Sequence, residues 1–483
     1  MNFGSVAQAK RIFVRSRPLD VHRWSDYPEL NRCHSELANE IEAREGRKRS
    51  RTAQEAKRFK DALRILVLDL YGAWKTDPAL QIGISLRSND YSAGTRYAKL
   101  FLSFRQFKAA YEGLRDCGYL QVDKRGGRYR ASGKAWNTKI RATQKLIELL
   151  TQKAKIHPFR IVRASSAETI LLKNEQKQLI EYPDTAATSK MRENLERINR
   201  ILLRHWTDLE ITDDEFSQLQ TRLAGDTERE AIDFTRRTLH RVFNDGSFEK
   251  DGRFYGGWWQ NVPKEYRRYI TINNKPTVEL DYSGLHPRIL YGLAGLQPPK
   301  DPYLIGIEPK HRDLAKVALN AIINVGSGRI SRAEGYDPSK VGMEWREFLQ
   351  VIEEAHKPIA QFFRVGYGLR LQFLDSQMAE QVLLHFGQND IPCLPVHDSF
   401  VMHHGYEDEL EQVMQEAFRI VVGGNVPIKA KLTSIEERRS EHLDGDDVLD
   451  FGCCDVEELL AARQAYRAYD ARIGQWFGGK YTK

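Results

Sequence analysis

The sequence predicts a multidomain α/β protein, and three observations lead to that prediction. The chain has 483 residues, which is more than one hydrophobic core accommodates. Apolar stripes with helical spacing alternate with short runs of β-type residues. A basic segment early in the chain has the order helix, hairpin, helix. We therefore expect four consecutive regions, with the boundaries 1–150, 151–245, 246–435 and 436–483.

The charge of the chain favours a polyanionic partner. Lys and Arg number 74 against 66 Asp and Glu, a net charge of +8, and the pI is near 9.0. Residues 441–460 contain many acids and no Lys or Arg, so the rest of the chain is more basic than the total suggests. We interpret this stretch as a solvated linker before a C-terminal helix. The alternative is that it competes with nucleic acid for the basic body.

The spacing of the cysteines and the length of the apolar runs indicate where in the cell the protein is expected. Five cysteines without metal-ligand spacing predict neither a disulfide framework nor a zinc ribbon, and a reducing cytosol fits them best. No apolar run approaches the roughly 18 residues of a membrane span. The first twenty residues lack the apolar core of a signal peptide. We expect a cytoplasmic protein without a membrane segment.

The first 150 residues predict a DNA-binding winged helix. Residues 39–73 predict a charged helix, Phe104–Cys117 has helical spacing, and Tyr119–Tyr129 alternates like a hairpin that turns at Arg125, Gly126 and Gly127. Helix, hairpin, helix is the order of a winged helix. An exposed basic helical hairpin without a ligand is the alternative. The cations that could meet phosphates are Arg105, Lys108 and Arg115 on the helix and Lys124, Arg125, Arg128 and Arg130 on the wing.

Residues 151–245 predict a connecting region with long helices. Short strands are expected after Ile156, followed by helices over 189–209 and 227–243. The first 240 residues contain no strand with the Asp-x-Glu spacing of a proofreading exonuclease. We therefore expect no such activity from this part of the chain.

A strand that ends in a carboxylate opens the segment with the most chemical information. A hairpin is expected to turn at Asn273 and Asn274, and the following strand, Thr277–Leu280, ends at Asp281. Residues 285–293 are predicted to be helical. Upstream, Trp258 and Trp259 are candidates for stacking on bases, with a place in the hydrophobic core as the alternative.

Two later segments add a cationic row and a second carboxylate. Arg312 and Lys316 lie four apart in a predicted helix, so they share one face, and Asn320 and Asn324 continue the row. Such a row can hold a triphosphate. The run "DIPCLPVHDSFVM" predicts a hairpin with Asp398 at its tip. Two carboxylates from separate strands can hold two magnesium ions that activate an attacking hydroxyl and stabilise leaving pyrophosphate.

These segments resemble the palm and fingers of the DNA polymerase I family, also called family A. The resemblance rests on "GRF" followed by "QNVP" and an Arg, on "ELDYSGLHPRIL", on "RDLAKVALNAIINVG" and on "PVHDSF". It covers roughly residues 244–424, and four motifs in the right order are hard to obtain by chance. It implies a right-hand polymerase palm with short fingers and a helical thumb, preceded here by the winged helix.

The resemblance also implies roles for individual residues. Asp281 and Asp398 would bind two Mg²⁺ ions, for which Mn²⁺ is an alternative, and the backbone carbonyl of Tyr282 would assist. Arg312 and Lys316 would contact the incoming nucleoside triphosphate. The residues expected near the primer and template are Arg253, His397, Gln372 and Gln377.

Three positions depart from the family's DNA polymerases and leave sugar selection open. His286 stands where they have the Glu that excludes a ribose 2′-hydroxyl. Asn324 and Val325 stand where the fingers helix usually has Tyr-Gly. Ser399 follows Asp398 in place of Glu, and His-Asp-Ser is similar to the single-subunit phage RNA polymerases. His286 and Asn324 are nevertheless nucleotide-binding candidates by position.

The resemblance implies a nucleotidyltransferase, a DNA-directed DNA polymerase that extends a primer on a nucleic acid template. DNA synthesis is the first expectation because "QNVP" and "DYS" look more like the DNA polymerases. An RNA polymerase or primase on the same palm is the alternative, and a catalytically silent DNA-binding replication initiator is a hypothesis of another class. A DNA-binding domain joined to a compact polymerase would suit DNA replication by a mobile genetic element.

Overall fold

A computed structural model gives the fold of the chain and describes residues 16–47, 49–91, 96–98, 102–128, 135–226, 229–431 and 463–481. The chain divides into two compact units. Unit 1 consists of Met1–Glu168, Glu210–Arg237 and Cys454–Lys483, and unit 2 of Thr169–Leu209 and Thr238–Cys453. This partition differs from the four consecutive regions expected from the sequence, because the chain leaves and re-enters each unit. The acidic stretch 441–460 lies outside the described residues.

The strands are short, as is usual where one face of a sheet is buried. In chain order they are β1 Ser16–Pro18, β2 Arg23–Trp24, β3 Gln81–Ile84, β4 Leu120–Lys124, β5 Gly127–Arg128, β6 Ala135–Trp136, β7 Thr138–Ala142, β8 Val162–Arg163, β9 Ile170–Leu172, β10 Thr207–Leu209, β11 His240–Phe243, β12 Asp251–Tyr255, β13 Ile270–Ile272, β14 Lys275–Tyr282, β15 Leu394–Val396, β16 Ser399–His403 and β17 Ile428–Lys431.

The helices cover both units. In chain order they are α1 Pro28–Glu45, α2 Ala53–Thr76, α3 Phe104–Asp116, α4 Gln144–Glu148, α5 Ala186–Arg204, α6 Asp213–Gly225, α7 Leu285–Leu293, α8 Arg312–Asn324, α9 Pro338–Val341, α10 Trp345–Ala355, α11 Gly368–Gln388, α12 Glu407–Val421 and α13 Arg467–Tyr481. Among the described residues, none of these helices is long and apolar enough to cross a bilayer.

Unit 1 packs α1, α2 and α3 against a four-stranded sheet in the order β1-β3-β7-β4. The contacts form one apolar core to which Ile41, Phe59, Leu66, Phe107 and Ile140 contribute fully buried side chains. β1 runs parallel to β3, and the other pairs are antiparallel. Helix α3 therefore precedes a β4–β7 hairpin on a helical core.

Two sequence predictions in unit 1 are wrong in detail. The single helix expected over 39–73 is two helices, because α1 ends at Gly46, whose φ of 59° is left-handed, and Thr52 begins α2 through a capping box with Glu55. The hairpin does not turn at Arg125, Gly126 and Gly127. β4 pairs with β7, and β5 pairs with β6, so the hairpin is longer than predicted, and Arg130 lies outside the described residues.

Unit 2 is organised around β14, the central strand of a six-stranded sheet. β13 and β17 pair with one edge of β14, and β16 pairs with the other, followed by β15. Side chains alternate between the two faces of a strand. Tyr282 therefore faces the same side as Leu280, and its hydroxyl donates to the Met414 carbonyl of α12 over 2.8 Å. Glu279 and Asp281 face the opposite side.

Several elements of unit 2 are confirmed, and one is wrong. Asn273 and Asn274 both have positive φ, 52° and 63°, as the predicted tight hairpin turn requires. The helices over 285–293 and from Arg312 are present as α7 and α8. The helix predicted over 227–243 is absent from its described part, and its end is β11. The apolar residues Val242 and Phe243 are buried there, between β9 and β12.

Candidate active site

Two strands bring the predicted carboxylates to one place in unit 2. Asp281 is the penultimate residue of β14, and its register partner on β16 is Ser399. Asp398 precedes Ser399 in the tight turn between β15 and β16, and its carbonyl accepts a hydrogen bond from the Tyr282 amide over 3.4 Å. The strand end and the hairpin tip are therefore neighbours, although the sequence separates them widely.

The charge of Asp398 reaches several groups from other elements. It acts on the pKa of Arg253 from β12, His286 from α7, Asp375 from α11 and Tyr303 from the loop before α8. The interaction between two charges weakens with their separation. The turn at Asp398 is therefore the point on which these elements converge.

The donor atoms at this point fit magnesium. Asp281 and Asp398 offer hard carboxylate oxygens, and Tyr282, whose carbonyl is the third predicted donor, directly follows Asp281. Within the described ranges no group of three or more His, Cys, Asp or Glu side chains is gathered as a closed cage. Mg²⁺ is usually held by one or two carboxylates together with substrate phosphates and water. The site suits such an open arrangement.

Arg253 is fixed between a buried acid and a histidine. Its Nε donates to Asp375 Oδ2 over 2.7 Å, and its Nη2 lies 3.5 Å from His286 Nε2. A guanidinium can only donate, so His286 Nε2 is the acceptor and the ring proton is on Nδ1. Burial, Arg253 and Lys316 lower the pKa of His286 to about 4, against the opposing effect of Asp398. His286 is therefore a neutral hydrogen-bond donor at physiological pH.

Asp375 is a site residue that the sequence analysis did not select. Burial raises its pKa to about 6, and the negative charge of Asp398 adds to this, while Arg253 opposes it. Its side chain is 2% exposed and pairs with an Arg253 side chain that is 16% exposed. The available signal was an Asp within the apolar row of a helix, since a buried acid is rarely without a partner.

The cationic row predicted on α8 is present, but its members have different environments. Arg312 Nε donates to Asp301 Oδ2 over 2.7 Å, and its guanidinium lies 5.2 Å from the ring centre of Tyr303. Lys316 is exposed one turn later. Asn324 Nδ2 donates to the Asn320 carbonyl over 2.7 Å. Arg312 and Lys316 are thus the members of the row that carry positive charge to the site.

Tyr303 and Asp301 are two further residues of the site that the sequence patterns did not indicate. Tyr303 is buried, which raises the pKa of its hydroxyl to about 12; Arg312 opposes this shift and Asp398 adds to it. Asp301 Oδ1 accepts from the Tyr303 amide over 2.9 Å, so one short turn presents both side chains. Hydrogen bonds fix this turn from outside, since Arg288 Nη2 donates to the Lys300 carbonyl over 2.7 Å.

The remaining candidates for primer and template contacts lie on the same unit. Gln372 and Gln377 are half-buried on α11, and His397 is exposed in the hairpin turn with a φ of 58°. Trp258 and Trp259 are fully buried, so the core alternative holds for both. Trp259 Nε1 donates to the Pro395 carbonyl over 3.0 Å, which anchors the hairpin that carries Asp398.

The "QNVP" motif also supports this hairpin. Gln260 Oε1 accepts from the Gly256 amide over 3.0 Å, and Gln260 Nε2 donates to the carbonyls of Phe254 and Pro395 over 2.8 and 3.2 Å. One amide side chain therefore joins the end of β12 to β15. This gives the Gln of the motif a structural role beside the site.

The cations predicted to contact DNA are on the surface of unit 1. Arg105 and Lys108 are exposed on α3 and make long ion pairs with Glu55, 3.4 Å, and Glu112, 3.7 Å. Lys124 ends β4 with its ammonium 5.3 Å from the ring centre of Trp136. Arg125 is exposed beyond it, and Arg128 belongs to β5.

Comparisons with known proteins add little to this geometry. No protein family and no curated protein matches the sequence. One similar solved structure is the POL domain of Pol1 from M. smegmatis in complex with a DNA primer-template and dNTP. The match has 12% identity and a TM-score of 0.28, and it covers 85% of this chain and 66% of that one. The chain thus spans about two thirds of that structure, and a likeness at this level carries no argument.

Proposed function

We propose that the chain is a template-directed nucleic acid polymerase, a DNA polymerase-like nucleotidyltransferase. The observation that carries the proposal is the register of β14 and β16, which makes Asp281 the partner of the residue after Asp398. Two carboxylates beside a cationic helix are the smallest set of side chains that supports magnesium-dependent nucleotidyl transfer. The polymerase-like motifs of the sequence assign metal binding to the same two carboxylates and triphosphate contact to the same helix.

In this proposal the side chains of the site bind and orient the substrates and neutralise their negative charge. Two magnesium ions held by Asp281 and Asp398 would lower the pKa of the attacking hydroxyl and stabilise the leaving pyrophosphate. Arg312 and Lys316 supply positive charge to the triphosphate, and Asp301 fixes the direction of the Arg312 guanidinium. Arg253, fixed by Asp375, is available to the primer end. Most of the rate enhancement comes from such preorganised electrostatics.

His286 is the residue most relevant to the choice of sugar. It stands where the DNA polymerases of the resembled family have the Glu that excludes ribose. In its neutral form it has an Nδ1–H that can donate to a hydroxyl. DNA synthesis remains the first proposal, and RNA or primer synthesis is the second because of this donor.

We further propose that unit 1 binds duplex DNA as a winged helix. Support comes from its element order, α2-β3-α3-β4-β7 with the sheet order β3-β7-β4, and from the exposed cations of α3 and the hairpin. Such contacts to phosphates would be strong at low salt and independent of sequence. Replication of a mobile element is the biological role that would use both activities.

Primer extension tests the proposal. A labelled primer on a DNA template is incubated with Mg²⁺ and either dNTPs or NTPs, beside an Asp398→Ala variant and an Asp408→Asn control, whose exposed acid lies on α12. We expect dNTP-dependent extension that the control retains and Asp398→Ala lacks. Preference for NTPs, or synthesis without a primer, would establish the second proposal. Binding of DNA without incorporation of either nucleotide would contradict both.

A further inference from the structure

A third acid lies beside the carboxylate pair. Glu279 is two residues before Asp281 on the same face of β14, and its side chain is 8% exposed. Arg267 Nη1 donates to Glu279 Oε1 over 3.0 Å, and Ser399 Oγ donates to the same oxygen over 2.6 Å. A buried carboxylate is tolerated only when it is paired and hydrogen-bonded in this way. Glu279 is therefore held by a neighbouring strand and by a cation.

The hydrogen-bond donor to Glu279 is Ser399, which is a neighbour of both candidate metal ligands. Ser399 follows Asp398 in the chain and is the register partner of Asp281. Its Oγ also lies 3.0 Å from the Val396 carbonyl, but a hydroxyl has one proton, and the shorter, charge-assisted contact is the one to Glu279. The Ser399–Glu279 bond therefore fixes the spacing of β14 and β16 one residue from Asp398 and two residues from Asp281.

Arg267 fixes the other side of the same carboxylate. Its Nε donates over 3.1 Å to the carbonyl of Val262, which is the third residue of the "QNVP" motif. The guanidinium is 14% exposed, so Glu279 is neutralised inside the protein. The segment that supports the Asp398 hairpin thus also holds the acid beside Asp281.

We propose, on the premise of the function proposed above, that Glu279 is a positioning residue for Asp281 and Asp398. Ser399 acts as its hydrogen-bond donor and does not determine the choice of sugar. A Glu at position 399, as in the DNA polymerases of the resembled family, would place its carboxylate directly opposite Asp281 and beside Glu279, which here accepts the Ser399 hydrogen bond. Like charges directly opposite each other in a sheet are destabilising. In this chain the acid is therefore Glu279 of β14, and the residue of β16 that contacts it, Ser399, carries a hydroxyl group.

Binding of Mn²⁺ alone, followed by electron paramagnetic resonance, tests the proposal without catalysis. The variants are Ser399→Ala, which removes the donor, and Glu279→Gln, which keeps the shape and removes the charge. Groups that orient metal ligands typically contribute about 10- to 100-fold to metal affinity. We expect each variant to weaken Mn²⁺ binding by about tenfold.

Thr277→Val is the matched control. Thr277 lies on the same face of β14, and its hydroxyl donates to the Ile270 carbonyl over 2.7 Å, away from both ligands. Its loss removes a buried hydroxyl hydrogen bond of the sheet without touching the Glu279 cluster. We expect wild-type Mn²⁺ affinity in this variant.

A charge exchange gives the sharpest version of the test. Ser399→Glu alone should weaken Mn²⁺ binding strongly, and Ser399→Glu combined with Glu279→Ser should restore it to within about threefold, because coupled sites deviate from additivity. Single-nucleotide incorporation by Ser399→Ala should show a lower kcat and an unchanged preference between dNTP and NTP.

The outcomes separate this inference from the proposed function. Equal Mn²⁺ affinity in the wild type, Ser399→Ala and Glu279→Gln, or no Mn²⁺ binding by the wild type, would overturn it. A changed dNTP preference in Ser399→Ala at unchanged Mn²⁺ affinity would also overturn it. A wild-type chain with the expected Mn²⁺ pattern that incorporates no nucleotide would remove the proposed function and leave the role of Glu279 standing.

Discussion

The site in unit 2 and the cationic surface of unit 1 use charge in different ways. In unit 2 several charged groups of the site are buried and joined in short pairs, such as Arg253 with Asp375 over 2.7 Å. In unit 1 the cations of α3 are exposed, and Arg105 and Lys108 have longer ion pairs, 3.4 Å with Glu55 and 3.7 Å with Glu112. Buried pairs fix geometry, whereas exposed pairs exchange readily with water and ions.

The two regions are suited to different tasks. A reaction centre needs atoms held to within a fraction of an ångström, and buried ion pairs provide that at the cost of desolvation. A surface that follows a phosphate backbone needs only accessible positive charge. Single substitutions at the site in unit 2 should therefore reduce nucleotide incorporation strongly. Single substitutions on the surface of unit 1 should weaken DNA binding only slightly, and these effects should be additive and depend on salt. Four predictions test this contrast.

The largest effect is expected at Asp281. Asp281→Asn keeps the size of the side chain and removes the charge that a divalent ion needs, so nucleotide incorporation should fall by about a thousandfold or more. Single-turnover incorporation at saturating nucleotide measures the loss. A variant that keeps more than about a tenth of the wild-type rate would remove Asp281 from the metal site.

The next effect is expected on α8. Arg312→Ala and Lys316→Ala each remove a positive charge from the triphosphate, and we expect the KM for nucleotide to rise by about 10- to 100-fold. Val317→Ala is the control, since Val317 lies on the same helix with an exposed side chain. Steady-state kinetics across nucleotide concentration provide the measurement. An equal rise in KM for the control would indicate a non-specific effect on the helix.

A smaller effect with a pH signature is expected at Asp375. Its pKa is raised from 3.8 to about 6, so the folded protein binds this proton more tightly than the unfolded chain. The stabilising contribution of the protonated form is complete below about pH 3.8 and is lost as the pH rises through about 6. The ion pair with Arg253 has the opposite dependence, because it needs the carboxylate.

We therefore expect incorporation by the wild type to decline as the pH falls through about 6, as Asp375 is protonated and Arg253 is released. Asp375→Asn should show about a tenfold lower plateau and lack this acid limb. The measurement is kcat between pH 5 and about 8 at constant ionic strength. The same acid limb in wild type and variant would assign it to another group.

The smallest effect is expected on the surface of unit 1. Arg105→Ala, Lys108→Ala and Lys124→Ala should each weaken duplex DNA binding a few-fold and reduce the salt slope by about one. Incorporation at saturating primer-template should be unchanged. Fluorescence anisotropy of labelled duplex at several salt concentrations gives both quantities. Unchanged affinity and slope in the triple variant would remove DNA binding from this surface.

The sequence predicted the parts of the site that lie within single elements. The turn at Asn273 and Asn274, the hairpin with Asp398 at its tip and the row on α8 all follow from local patterns, and the structure has them. It failed where neighbours outside the segment decide the conformation. The helix expected over 227–243 ends as β11 because that segment pairs with strands from two other places in the chain.

Asp375, Tyr303 and Glu279 show the second limit of sequence patterns. Each belongs to an ordinary helix, loop or strand, and its role depends on the side chains that it contacts, which are Arg253 for Asp375, Arg312 for Tyr303, and Arg267 and Ser399 for Glu279. Residue spacing along one element does not contain that information. The position of Ser399 in a motif suggested sugar selection, whereas its hydrogen bond indicates support of a neighbouring acid.

By itself the sequence determined the element types near the site, the carboxylates Asp281 and Asp398, and the cations Arg312 and Lys316, because spacing within one strand or helix fixes which side chains share a face. Only the tertiary structure decided which elements meet. Strand register set Asp281 opposite Ser399, and burial moved the pKa of Asp375 to about 6 and that of His286 to about 4. Both effects arise from contacts between residues distant in the chain, where water is excluded and charges interact strongly.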